Sequence, residues 1–531
     1  MNSQTSSARR AGATEHSLST STHTDQSLAE RGNNRSRQPK NAAFRTFIGE
    51  DWGERPQGPA RMRVADFTPQ RRRKLAQLFP GERLVFPAGD LQVRSNDTDY
   101  RFRAHSAFAH LAGLGGELEP GAVLVLHPLT DASGKAADGS VPEETHEAVL
   151  YFHPRTSRSS EEFYADSRHG EFWVGARLSA EEMSHATGIK VSHIDGLRDA
   201  LAKDVGQGSV QLRVIPQSDA QIEALVNEVR QQNGITQHQS EADDRLAEAA
   251  SELRLIKDEW EIEEMRHAVD VTYSGFDEII KALPRAVGHW RGERVVEGAF
   301  FAKAREEGNG LGYDTIAASG NHANTLHWID NDGPVREGDL ILVDAGAEVD
   351  SLYTADITRT MPVNGKFNET QREVYEAVLE ACEAALTQAS VPGTRFRDVH
   401  DAAMKVIAKH LEQWGILPVS AEESLAEDGQ YHRRWMPHGT SHHLGIDVHD
   451  CAQAKRELYD GAVLEPGMVF TIEPGLYFRA DDLKVPERFR GIGVRIEDDV
   501  VITEHGAERI SENIPRTVED VEAWIERVQR G

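Results

Sequence analysis

Apolar positions change their rhythm along this chain. Residues 1 to about 55 carry few large apolar side chains and are rich in Ser, Thr, Asn, Gln and Arg. Such a stretch buries too little surface to offset the entropy of ordering. A disordered arm is therefore expected over 1–55, with a mildly basic segment RGNNRSRQPK. From about 60 to 245 short apolar runs appear: RLVFPAG, AVLVLHP, EAVLYFHP and VQLRVIP. Gly, Pro or Asp bounds them, the punctuation expected of strands. Helical text, TPQRRRKLAQLF and SDAQIEALVNEVRQQ, lies between them. Alternating strands and helices predict an α/β domain over 60–245.

Near 250 the pattern turns acidic and helical. In SEADDRLAEAASELRLIKDEWEIEEMRHAVDVTYSGFDEIIKAL, apolar residues Leu255, Trp260, Ile262, Met265, Ala268, Val269 and Tyr273 recur at three- and four-residue steps. That spacing marks an amphipathic helix, and a second domain over 250–531 is expected to begin with it. Its later text mixes helical blocks (QREVYEAVLEACEAALTQA, FRDVHDAAMKVIAKHLEQWGI) with short strand-like runs. Antiparallel strands with helices on one side, an α+β arrangement, fit this better than a parallel sheet. The piece GNGLGY superficially suggests a nucleotide loop. A dinucleotide fingerprint must follow a strand and open a helix, whereas YDTIAASG reads as extended.

Composition narrows the function classes. A chain of 531 residues, 39% hydrophobic, supports two or three packed domains. Its formal charge of -28, from 87 acidic against 59 basic residues, argues against nucleic acid or anionic membrane as a partner. No apolar run approaches the ~20 residues of a membrane helix. The N-terminus lacks the apolar stretch of a secretory signal. Two cysteines, Cys382 and Cys451, make a disulfide framework improbable and fit a reducing cytoplasm.

The chemistry gathers between Asp344 and Glu497. Asp344 ends the apolar run in LILVDAG. Asp356 follows in YTADITRT, after a hairpin-length connection that allows both carboxylates into one pocket. In GVRIEDD, Arg495 and Glu497 alternate with Val494 and Ile496, so each pair shares a sheet face. In VFTIEPG, Glu473 shares a face with Thr471 and Val469. His442 lies in HGTSHHLGIDVHD. Clustered buried carboxylates repel and would protonate unless cations intervene. Two divalent ions would balance four such charges. Oxygen ligands with one imidazole suit Mn, Co or Fe, with Zn also possible. Paired ions about 3.5–4 Å apart would polarise a carbonyl and acidify a bridging water. Taken singly, each acid could equally be a turn residue or half of an ion pair, and the His-rich segment a polar loop.

The stretches DAG, ADITRTMPVNGKF, HGTSHHLGIDVHD, TIEPGLYF and GIGVRIEDDVVIT resemble the signature blocks of the M24 pita-bread metallopeptidases, the aminopeptidase P branch most closely. The resemblance is strong over about 250–510. It extends more weakly into the first domain, where NDTDYRFRAHSAFAHLAG resembles that family's creatinase-like N-terminal domain. One departure is a connection from Asp344 to Asp356 that is one residue longer than the common form.

The resemblance implies a metal-dependent aminopeptidase that releases the N-terminal residue from peptides with Pro second, using hydroxide on a dinuclear centre. It implies two divalent ions, Mn2+ first among the choices. Asp344, Asp356, His442, Glu473 and Glu497 would be the ligands, with Asp356 and Glu497 bridging. Glu473 would also move protons, His449 would bond the scissile carbonyl, and His327 would shuttle protons or hold substrate. His438 would line the substrate pocket, and Arg495 would steady a ligand carboxylate. His443 and Cys451 map to no such role. A homo-oligomer, dimer or tetramer, built through the first domain is also implied.

Other readings stay open at this point. A prolidase would cut only dipeptides and would grip their C-terminal carboxylate. A non-catalytic peptide-binding pita-bread module, or a creatinase-like amidinohydrolase, would typically lack the ligand set. Neither an HExxH helix nor a GxSxG elbow is present to support other hydrolases.

Overall fold

The computed structural model describes residues 39, 41–116, 118–206, 210–236 and 239–530. The expected arm over 1–55 therefore lies mostly outside the described residues. Its last part corrects the expectation. Helix α1, Ala42–Gly49, is capped by the Asn41 side chain, which accepts from Phe44 N at 2.8 Å. Phe44 packs edge-on against Tyr164, and Trp52 against Phe163 and Phe172. Arg55 pairs with Glu171 at 2.6 Å. These aromatics give residues 41–55 the apolar surface that the composition of the whole arm dilutes.

The first sheet has five strands: β1 Glu82–Pro87, β2 Val123–Pro128, β3 His146–Phe152, β4 Lys190–His193 and β5 Gln211–Val214. Their order is β4-β3-β2-β1-β5. The three central strands pair antiparallel, and each edge strand pairs parallel. Alternation divides the strands between two cores. Leu84 and Phe86 join the main core, while Val85, Val123, Val125 and Val149 face a smaller one with Leu197, Leu201 and Val226. The edge strand β4 (KVSH) has no apolar run, since it buries little, and the pattern passes over it. Helix α2, Ser106–Ala112, is buried beside this sheet.

The acidic helical text is two helices rather than one. Helix α3, Ser240–Leu253, packs on the first sheet, where Val214 N donates to Asp243. Helix α4, Glu259–Val287, restarts behind a reciprocal cap in which the Asp258 carboxylate accepts from Glu261 N and the Glu261 carboxylate accepts from Asp258 N. Between them Lys257 N donates to Gly467 O, which turns the chain into the second half. Helix α5, Gly292–Glu307, packs along α4.

The strands of the second half form small antiparallel sheets. One joins β6 Ile316–Ser319, β7 Leu340–Ala345 and β8 Ile357–Pro362 in the order β8-β7-β6. Another joins β9 Val469–Ile472, β12 Asp498–Thr503 and β13 Gly506–Arg509, and a third pairs β10 Gly475–Tyr477 with β11 Gly493–Arg495. Helix α6, Glu369–Ala389, packs over these strands and against helix α7, Phe396–Gln413. Helix α8, Val518–Arg530, returns to α4 through Trp524, whose Nε1 donates to Asp277 at 2.6 Å. No described helix is long and apolar enough to cross a membrane.

Candidate metal centre and active site

Antiparallel pairing brings the acidic residues together. Asp344 sits on β7 opposite Thr358 of β8, two residues past Asp356. Asp499 of β12 lies opposite Thr471, two residues before Glu473. A cavity of about 490 Å³ opens over these strands. Asp344, Asp356, His442, Glu473, Glu497, His438, His449, His327 and Arg495 all line it. Asp356, His442 and Glu497 each offer a ligand atom within 4.8 Å of the others. Asp344 and Glu473 stand outside that tightest group but on its rim. His442 Nε2 is 3.2 Å from Asp356 Oδ2 and 3.7 Å from Glu473 Oε1.

Local partners orient each group. Thr358 Oγ1 donates to Glu497 Oε2 at 2.6 Å, and Arg495 Nε donates to Thr358 Oγ1 at 3.1 Å. Arg495 Nη2 donates to Asp344 Oδ2 at 2.5 Å, and Nη1 donates to Tyr477 Oη at 3.1 Å. The Tyr313 hydroxyl lies 2.7 Å from Asp344 Oδ1 and 2.5 Å from Asp356 Oδ1. Behind them Asp499 accepts from Asp356 N at 3.2 Å, and its Oδ1 finds no partner among the described residues.

The electrostatics are those of a negative cluster in need of cations. Burial and mutual repulsion push Asp344 and Glu497 up, Glu497 well above the ordinary carboxylate range. Glu473 rises to about 7, through burial first and despite His442 and Arg495. Burial, reinforced by Asp356, also holds Asp499 well above that range. Burial would lower His442, yet Asp356 and Glu473 overcome it and raise the imidazole to about 9. One arginine and one histidine do not neutralise so many acids. Hard oxygen donors around a single imidazole fit divalent cations of the Mn, Co, Fe or Zn kind.

The remaining predicted residues stand at the cavity wall. His438 lies 2.7 Å from Tyr477 Oη and 3.6 Å from Glu473 Oε2, and burial lowers it to about 3. The His449 ring is 4.6 Å from that of His442, nearly perpendicular to it. His443 points the other way and stacks on Phe396 at 4.6 Å. Sequence reasoning missed Tyr313, Thr358 and Asp499. Thr358 was detectable, because it shares a strand face with Asp356 two residues away. Tyr313 carries no such signal, since only the folded chain brings its hydroxyl to the carboxylates.

Comparison with known proteins gives the family. The profile described as "Metallopeptidase family M24" matches residues 263–504, and "Aminopeptidase P, N-terminal domain" matches residues 68–212. A Xaa-Pro aminopeptidase 1 of Streptomyces coelicolor is 46% identical over 458 residues, 86% of this chain and 86% of its own length. A Xaa-Pro aminopeptidase of Escherichia coli is 32% identical over 86% of this chain and 97% of its own. The solved structure of aminopeptidase P from E. coli in its low pH form superposes with a TM-score of 0.74 at 30% identity, covering 88% of this chain and 99% of that one. The second half is a pita-bread domain, and the first is the domain that precedes it in aminopeptidase P. This chain belongs to metallopeptidase family M24, on its aminopeptidase P branch.

Proposed function

We infer that this protein is a metal-dependent aminopeptidase that releases the N-terminal residue from peptides with Pro in second position. The observation that carries the reading is the convergence of Asp356, His442 and Glu497 in a cavity that Asp344, Glu473 and His449 also line. The named activity of relatives 46% identical over most of their length supports it. The bond before Pro is a tertiary amide without an N–H, so its cleavage leans on carbonyl activation rather than on gripping that group.

Asp344, Asp356, His442, Glu473 and Glu497 would hold two divalent ions, Mn2+ first among Mn, Co, Fe and Zn. Bound there, such ions supply a Lewis acid for the carbonyl and an acidified water. The chain's own residues do the rest. Glu473, beside His442, accepts the proton of the attacking water and passes it to the leaving proline nitrogen. His449 donates an N–H to the scissile carbonyl as its oxygen gains charge. His327 and His438, which also line the cavity, hold the substrate. Arg495 and Tyr313 fix Asp344. The acidic cavity suits a free α-amine.

A tripeptide Xaa-Pro-Yaa should be cut, whereas a prolidase would cut Xaa-Pro alone. That comparison, run with and without chelator and with Mn, Co and Zn returned separately, tests reaction class and metal together. Assembly into a homo-oligomer through the first domain and a cytoplasmic location belong to the same reading. Light scattering and fractionation test them.

A further inference from the structure

His449 is held by its loop rather than by its ring. No described residue hydrogen-bonds its imidazole, whose close neighbour is the His442 ring at 4.6 Å. The backbone of residues 443–451 therefore decides where the ring points. Asp450 N donates to His443 O, which closes this loop on itself, and Gly445 O accepts from Thr354 N. A side chain at Gly445 would meet Asp450 Oδ2 at 2.4 Å, so the loop packs tightly at its base.

The acids on either side of His449 are gripped differently, Asp447 from the first domain and Asp450 from the segment that leads into the pita-bread half. Ser106, the first residue of α2 in the first domain, donates its hydroxyl to Asp447 Oδ1 at 2.6 Å. Arg103, just before α2, donates to Asp447 Oδ1 at 3.3 Å and to Ile446 O at 2.6 Å. Its Nε donates to Glu348 at 2.7 Å, which braces the guanidinium against the β7–β8 connection. Beyond His449, Asp450 accepts from Arg254 Nε at 2.9 Å and from Lys257 Nζ at 3.2 Å. Both cations lie in the segment that joins α3 to α4.

We propose that the first domain positions His449 for catalysis, with Ser106 and Arg103 acting through Asp447. The idea rests on the role given to His449 above. It makes the N-terminal domain part of the catalytic apparatus of its own chain, beyond any part in assembly. The Asp450 pair is buried and anchors the loop's base, whereas Asp447, 34% exposed, is the adjustable contact.

A double-mutant cycle on the metal-loaded full chain tests this. Asp447→Ala should lower kcat about 10- to 100-fold, the cost of a misplaced catalytic group, with KM, metal content and melting temperature nearly unchanged. Ser106→Ala should move kcat the same way, by less, and serves if Asp447→Ala fails to fold. In a His449→Ala background neither change should cost anything further. Equal losses in both backgrounds, or full kcat in the single variants, would overturn positioning while leaving the His449 role standing. Full activity of His449→Ala would instead remove that role, and the proposal with it.

Discussion

Arg495 Nη2 lies 2.5 Å from Asp344 Oδ2, and both side chains are buried at the edge of a carboxylate cluster. The same guanidinium reaches Tyr477 and, through Thr358, Glu497. One cation thus orients two of the proposed ligands. Arg495→Met should weaken metal binding about 10- to 100-fold, the usual cost of losing a group that steadies a ligand. Isothermal titration with Mn2+ measures it, and unchanged affinity would falsify the role.

Asp356 and Glu497, with His442, form the tightest group of ligand-type side chains in the cavity. Substituting either by Ala should abolish both metal retention and turnover. Chelation of the unaltered protein should stop cleavage, and added Mn2+ should restore it. Metal analysis beside a peptide assay decides the matter, and an active chelated sample would end the metal reading.

His449→Ala should keep its metal and lose about 10²- to 10³-fold in kcat, the range for removing a donor to a developing oxyanion. Metal loss in this variant would make His449 a ligand instead.

Tyr313→Phe removes a hydroxyl shared between Asp344 and Asp356. It should loosen metal retention by about tenfold and leave the unfolding midpoint nearly unmoved. Dialysis against a weak chelator, followed by metal analysis, reads the difference.

Asp450 gives a pH dependence away from the cavity. Burial would raise its carboxyl, but Arg254 and Lys257 overcome this and bring it down to about 2. Its unfolded value is about 3.9. A depressed folded value means stability that is complete above about pH 4 and is lost as pH falls toward about 2. Asp450→Asn removes the one carboxylate among the described residues that pairs Lys257 and the nearer of two that pair Arg254, and should cost about 3–5 kcal/mol at pH 7. Urea unfolding across pH should show the gap to the unaltered protein narrowing below about pH 4. A gap constant with pH would contradict the assignment.

What could be read from the chain depended on how locally each feature is encoded. The runs around Leu84, Val125, Leu150 and Leu212 announce strands because alternation and flanking Gly and Pro act over a few residues. Asp344, Asp356, Glu473 and Glu497 stand out because each follows or closes such a run, and the signature blocks around them supply the family. Tertiary structure alone decided the rest. It split the acidic helical text at Arg254–Asp258, since Lys257 had to be buried against Asp450, far along the chain. It ordered residues 41–55 by offering Tyr164 and Phe163 as partners. It brought Tyr313 to two carboxylates and Ser106 to Asp447 across 341 residues. Periodicity is a property of neighbours, whereas these contacts arise only when distant segments share one packed interior.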